Sequence, residues 1–227
     1  MCGRFSLTVD EQQINILFEL SGANAPYVPR YNGAPTQLLP VITNQLPRHM
    51  QLFRWGLIPN WSKEVSKIPL INAKSETLNQ RPSFSDGFKL RRCLVPADGF
   101  YEWVHSGRKL PYRFTLNDES LFAFAGIWDC WRSPKDENIN SFAILTTEAN
   151  EMMAPIHDRM PVVLDKTQFN DWLEEKDDKK VMTMLKPYPS ERMKMYRVTE
   201  MVNKATSEGP ELIVPCKSDD FFNGELF

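Results

Sequence analysis

Cys2 is the residue of this chain with the most unusual chemistry open to it. Methionine aminopeptidases act when the second residue is small, so removal of Met1 would leave Cys2 with a free α-amine beside its thiol. An aldehyde condenses with such an amine to a Schiff base, and the thiol then closes on the same carbon as a five-membered thiazolidine. An α-amine titrates near ~7.7–8.0 against ~10.4 for a lysine, so a useful share is neutral and nucleophilic near pH 7. The plain alternative is an incidental cysteine at a frayed terminus.

Three further side chains complete a reactive inventory. Glu102 lies in "DGFYEWV", where a strand would put Phe100, Glu102 and Val104 on one face and Tyr101 and Trp103 on the other. A carboxylate on an apolar face resists ionisation, so its pKa should rise into the range useful for acid–base work. His157, in "APIHDRMPVVL", is bracketed by Pro155 and Pro161 and is suited to proton transfer. Asn72, in "PLINAKSET", hydrogen-bonds but does not titrate, so it suits orientation. Each has an ordinary reading too: a solvent-facing or Arg-paired Glu, and a structural His. Around them fall Arg4, Lys74 and Arg81 with Trp55, Trp61 and Trp103, cations for phosphates and aromatic faces for unpaired bases. Core packing is the competing role for the tryptophans.

The rest of the sequence sets limits. The four cysteines and three histidines lack the paired short spacings of a zinc site, so neither metal nor cofactor is expected. No apolar run is long enough to span a membrane and no secretory signal is visible, so a reduced intracellular setting is expected. Net charge is −2, yet Arg48 to Arg113 holds twelve Lys/Arg against five Asp/Glu, a local +7. That asymmetry fits one basic face on an acidic body, or charges pointing in all directions.

The elements that must position these residues are mostly short strands. The pattern predicts strands over Leu38–Thr43, Met50–Trp55, Arg92–Pro96, Gly99–Val104, Leu110–Leu116, Leu121–Trp128, Ser141–Thr147, Tyr196–Thr199 and Glu211–Val214. "HSGRK" and "LNDES" read as turns, and "WGLIPNWSKEVSKIPLINAKSET" as loop-like with exposed aromatics. Helices are expected over Thr8–Gly22, capped by Thr8 or Asp10, over Ser75–Asn79 ended by Pro82, and over Thr167–Glu175 and Asp178–Lys186. Many strands with few helices between them imply one α+β domain over residues 1–227, built on curved, mainly antiparallel sheets, with 215–227 as a loose tail.

Six blocks, "MCGRF", "RYNGAP", "WGLIPNW", "INAKSET", "ADGFYEW" and "PIHDRMPVVL", resemble in order the SOS response-associated peptidase (SRAP) family of abasic-site processing proteins. "GPELIVP" is similar to the family's closing strand. The resemblance implies binding of abasic sites in single-stranded DNA, often beside a duplex junction, and capture of the opened sugar as a thiazolidine on Cys2. It implies that Asn72 positions the terminus or sugar, that Glu102 assists ring opening and Schiff-base formation, and that His157 transfers protons, including in reversal or strand cleavage. Arg4, Asn32, Pro35, Arg81, Trp103 and Thr146 match family DNA-contact positions; Trp61 and Lys74 join them here, Lys74 standing where many members have Arg. The family name adds a peptidase or autoproteolytic activity. Three readings follow: a monomeric protein that cross-links abasic DNA, a cysteine peptidase using Cys2, His157 and Asn72, or a single-strand binding module without chemistry. The setting would be cytoplasm and nucleoid in a bacterium, or a nucleus.

Overall fold

The computed structural model describes residues 2–21, 25–105 and 109–216. Its strands run in chain order as β1 (Phe5–Leu7), β2 (Arg30–Gly33), β3 (Leu38–Thr43), β4 (Leu46–Trp55), β5 (Asn72–Lys74), β6 (Arg92–Ala97) and β7 (Gly99–His105). They continue as β8 (Lys109–Leu116), β9 (Phe122–Arg132), β10 (Asn138–Glu148), β11 (Arg159–Pro161), β12 (Val163–Leu164) and β13 (Met193–Arg197). The helices are α1 (Glu11–Phe18), α2 (Pro82–Leu90), α3 (Phe169–Glu174) and α4 (Asp178–Met182).

Two sheets carry the fold. One has five strands in the order β13-β8-β7-β1-β2; the other has eight, ordered β11-β10-β4-β3-β6-β9-β12, with β5 added alongside β10. Strand β10 also pairs with β9, so β9, β6, β3, β4 and β10 close on themselves into a partial barrel. Most pairings are antiparallel, but β10 runs parallel to β4 and to β5. The expected α+β architecture on curved, mainly antiparallel sheets is the one observed.

Local chemistry explains the departures from the expected elements. Helix α1 starts at Asp10, whose side chain accepts from Gln13 N–H while Gln13 closes the capping box. Thr8 cannot serve, because its N–H and Oγ1 both bond Asp98, each at 2.6 Å. The helix ends at Glu19 in the left-handed region, φ 53°; the expected stop, Gly22, and part of "HSGRK" lie outside the described residues. Pro82 does not end a helix but opens α2, since the first helical position needs no N–H. Ser75–Gln80 is a 3-10 turn before it. Pro210–Ile213 is likewise a 3-10 turn, where a strand over Glu211–Val214 was expected. The indole of Trp55 is wholly buried rather than exposed, stacked 6.2 Å from Phe142 and donating Nε1–H to the Ile71 carbonyl at 3.0 Å.

The three-residue strand β1 sits between β7 and β2 and aims the N-terminal segment. Phe5 pairs with Phe100 and Ser6 with Gly99, and Tyr101 N–H donates to the Arg4 carbonyl at 3.0 Å. Continuing that register brings Gly3 opposite Glu102. A buried ion pair pins the strand: Asp98 accepts from Ser6 Oγ at 2.6 Å and from Arg113 Nη2 at 2.9 Å.

Candidate active site

Cys2 is fully buried and belongs to the same apolar cluster as Phe5, Trp55 and Phe100. Its carbonyl accepts from Asn72 Nδ2 at 2.8 Å, and its thiol lies 3.8 Å from the Arg4 carbonyl. Asn72 is the first residue of β5, held beside Ile144 of β10. Its Oδ1 is buried with no hydrogen-bond partner among the described residues. Burial, followed by the nearby Glu102 charge, pushes the Cys2 thiol far up, so the sulfur carries its proton at neutral pH.

Glu102 is buried in β7, opposite Tyr112 of β8. The alternation read from the sequence holds. Phe100 and Val104 pack into the main core, while Tyr101 and Trp103 pack with Val198 and Val202 on the other side of the sheet. Desolvation raises the carboxyl's pKa, and the negative charge of Asp158 adds to the rise. The His157 turn therefore lies within electrostatic reach of Glu102.

That turn is built by Asn150, whose Oδ1 accepts from Met153 N–H at 2.9 Å, and His157 N–H then bonds the Met153 carbonyl at 2.9 Å. His157 Nδ1 accepts the Arg159 backbone N–H at 2.9 Å and lies 2.8 Å from Asp158 Oδ1. The two contacts ask for different protons at Nδ1: the Arg159 contact needs a bare Nδ1, and the Asp158 contact needs Nδ1–H, whether in the imidazolium or in the Nδ1–H neutral tautomer. With the Arg159 contact made, the neutral ring carries its proton on Nε2; the imidazolium donates Nδ1–H to Asp158. Burial is the largest influence and lowers the His157 pKa, favouring the neutral ring.

The expected DNA-contact residues fall into two groups. Trp61, Lys74 and Arg81 are exposed, and Trp61 retains 60% of its surface. Pro35 is half-buried just beyond β2. The others are engaged within the protein. Arg4 Nη1 donates to Asn32 Oδ1 at 2.8 Å and to the Val202 carbonyl at 2.7 Å, and its guanidinium sits 5.9 Å from the Trp103 ring centroid. Asn32 is buried, its amide bound to the Val202, Lys204 and Ser207 carbonyls. Trp103 is nearly buried, with Lys109 Nζ 4.5 Å from its ring, and buried Thr146 offers its carbonyl to Arg159 at 2.6 Å.

The basic stretch is partly structural: Arg92 and Arg113 are buried, Arg92 Nη1 donating to the Phe88 carbonyl at 2.9 Å. Sequence reasoning missed the bidentate pair between Arg159 and Glu76, whose members stand 83 residues apart. The only local signal was the adjacency of Arg159 to His157. Among the described residues no cluster of three potential metal ligands occurs, and no helix is long and apolar enough to cross a membrane.

Comparison with known proteins places the chain in a family. The model of the SOS response associated peptidase (SRAP) family matches residues 1–205. The chain is 39% identical to the abasic site processing protein YoqW of Bacillus subtilis, over 94% of this chain and 99% of that one. It is 33% identical to the abasic site processing protein HMCES of Gallus gallus, over 83% of this chain and 67% of that one. A crystal structure of a Bacteroides thetaiotaomicron protein superposes with a TM-score of 0.87 at 26% identity, covering 95% of this chain and all of that one.

Proposed function

Because the chain belongs to the SRAP family, we propose that it processes abasic sites in single-stranded DNA by forming a covalent thiazolidine through Cys2 once Met1 is removed. Its similarity to proteins named for abasic site processing supports the lesion as target and DNA damage as context. The single observation that carries the chemistry is the convergence on Cys2: Asn72 holds its carbonyl at 2.8 Å, and the β1–β7 pairing brings the N-terminal segment alongside the strand that bears buried Glu102.

The amine reacts first, because only its imine gives the thiol a carbon on which to close the ring. The liberated α-amine attacks C1′ of the ring-opened deoxyribose, forming a carbinolamine. Glu102, whose pKa burial raises, serves as the general acid toward the departing hydroxyl, and one water leaves as the imine forms. The Cys2 thiol then adds across the C=N bond; its sulfur bonds to carbon and its proton ends on nitrogen. The net change is loss of one water and no redox. Asn72 Oδ1, buried and without a partner among the described residues, would accept from the amine or a sugar hydroxyl. Neutral His157 first gains a proton; as the imidazolium it gives up Nε2–H in reversal or strand cleavage and keeps Nδ1–H toward Asp158. Since Cys2 is fully buried in the chain bearing residue 1, the reading requires that removal of Met1 uncover the amine.

Exposed Trp61 would stack on an unpaired base, with Lys74 and Arg81 on phosphates. The test is denaturing electrophoresis of the processed protein mixed with an oligonucleotide bearing one abasic site. A heat-stable adduct is expected with Cys2 and is lost in Cys2→Ser, which retains only a labile imine. A stable adduct in the Ser variant would refute the ring.

A further inference from the structure

One ion pair outside the groups assigned above joins two segments that each carry a reactive residue. Glu76 lies four residues beyond Asn72, in the 3-10 turn that follows β5. Its carboxylate takes both arms of Arg159, Oε1 from Nη1 at 2.7 Å and Oε2 from Nη2 at 2.9 Å. Arg159 Nη2 also donates to the Thr146 carbonyl at 2.6 Å. The backbone N–H of the same arginine is the donor that occupies His157 Nδ1.

We propose that Glu76 is a positioning residue for His157: acting through Arg159, it fixes the imidazole with its proton on Nε2 and ties the His157 turn to the segment that bears Asn72. The catalytic part of this inference rests on the function proposed above; the structural link does not. An exposed ion pair contributes little, but this one is bidentate and one partner is nearly buried, its side chain only 11% exposed. Glu76 is half-exposed and carries a lowered pKa, chiefly through its hydrogen bond from Arg159, so it stays charged and balances the arginine. The charges bearing on His157 are the chain's α-amine, Asp158 and Arg159, with Glu76 acting on the last. Neutralising Glu76 leaves the Arg159 charge uncompensated and its side chain held at Thr146 alone, so the backbone N–H is less firmly aligned. Both effects disturb the same imidazole.

The experiment compares wild type, Glu76→Gln and Glu76→Asp in the processed protein, with and without His157→Gln. Nitrogen NMR of the histidines, without DNA, is expected to show Nε2–H His157 in wild type. In Glu76→Gln the tautomers should mix and the His157 titration should fall by about half a pH unit, with Glu76→Asp partly restoring both. Lyase strand cleavage or cross-link reversal on an abasic single strand should slow about tenfold in Glu76→Gln. That substitution should add less than a twofold change in the His157→Gln background, as groups acting in series require. An unchanged tautomer and titration, or an equal loss in both backgrounds, would overturn the proposal. If the NMR changes appear but wild type itself forms no adduct, the positioning link stands and the proposed function is what has failed.

Discussion

Asp98→Ala should be the most damaging single change outside the reactive residues. The carboxylate accepts from Ser6 Oγ, Thr8 N–H and Thr8 Oγ1, each at 2.6 Å, and from Arg113 Nη2 at 2.9 Å. Both charged side chains are under a tenth exposed, so removing one leaves the other stranded in a low-dielectric interior. Breaking such a buried pair costs about 3–5 kcal/mol, a large part of the ~5–15 kcal/mol by which a domain is stable. For a chain of this size that corresponds to a fall in Tm of about 6–20 °C. The partner strand is β1, so the loss also loosens the segment that presents Cys2. Calorimetry should show the fall, and cross-linking should slow even at temperatures where the variant stays folded. The reasoning makes a second demand. Asp98→Ala with Arg113→Met should be more stable than Asp98→Ala alone, because the stranded guanidinium is gone. A Tm loss under 2 °C for the single variant, or a double variant worse than the single, would refute it.

Other consequences follow from the same geometry. Burial raises the Glu102 pKa in the folded state, so folding favours its protonated form, and stability falls as pH rises from the unfolded value near ~4.3 toward the folded one. Glu102→Gln should therefore be more stable than wild type at neutral pH, with the gap closing below about pH 4, while cross-linking is impaired; thermal melts across pH check the sign. Asn72→Ala removes the hydrogen bond to the Cys2 carbonyl; at about 1 kcal/mol this should slow cross-linking five- to tenfold in a timed adduct assay. Trp61→Ala, at an exposed site, should leave stability within about 0.5 kcal/mol but weaken single-strand binding by about 1–3 kcal/mol in fluorescence anisotropy. Removing Lys74 or Arg81 should each lower the slope of log affinity against log salt by about one.

What the sequence revealed depended on range. The position of Glu102 on an apolar face was readable because strand alternation is a local, two-residue period, and Phe100 and Val104 flank it within "GFYEWV". The capping of α1 was readable only in part. Asp10 and Thr8 are both good N-caps, and the choice is settled by Asp98, ninety residues away. Pro82 was misread because a proline can close one element or open the next, and only tertiary packing distinguishes them. Trp55 and Trp61 sit in one short block, yet Trp55 ends β4 in the core and Trp61 is exposed in the turn beyond it; the block itself does not mark where the strand stops. The pairs Asp98–Arg113 and Glu76–Arg159 were invisible, since their partners meet only through sheet register.

The central claim is that an α-amine and its own thiol capture a sugar aldehyde in one ring. Intact mass spectrometry of the processed protein after reaction with an abasic single strand tests it most directly. The account predicts one adduct per chain, at the summed masses less one water, surviving heat and mapping to residue 2, and no such adduct when Met1 is retained. An adduct of equal stability in the Met1-retaining protein, or one mapping to a lysine, would contradict it.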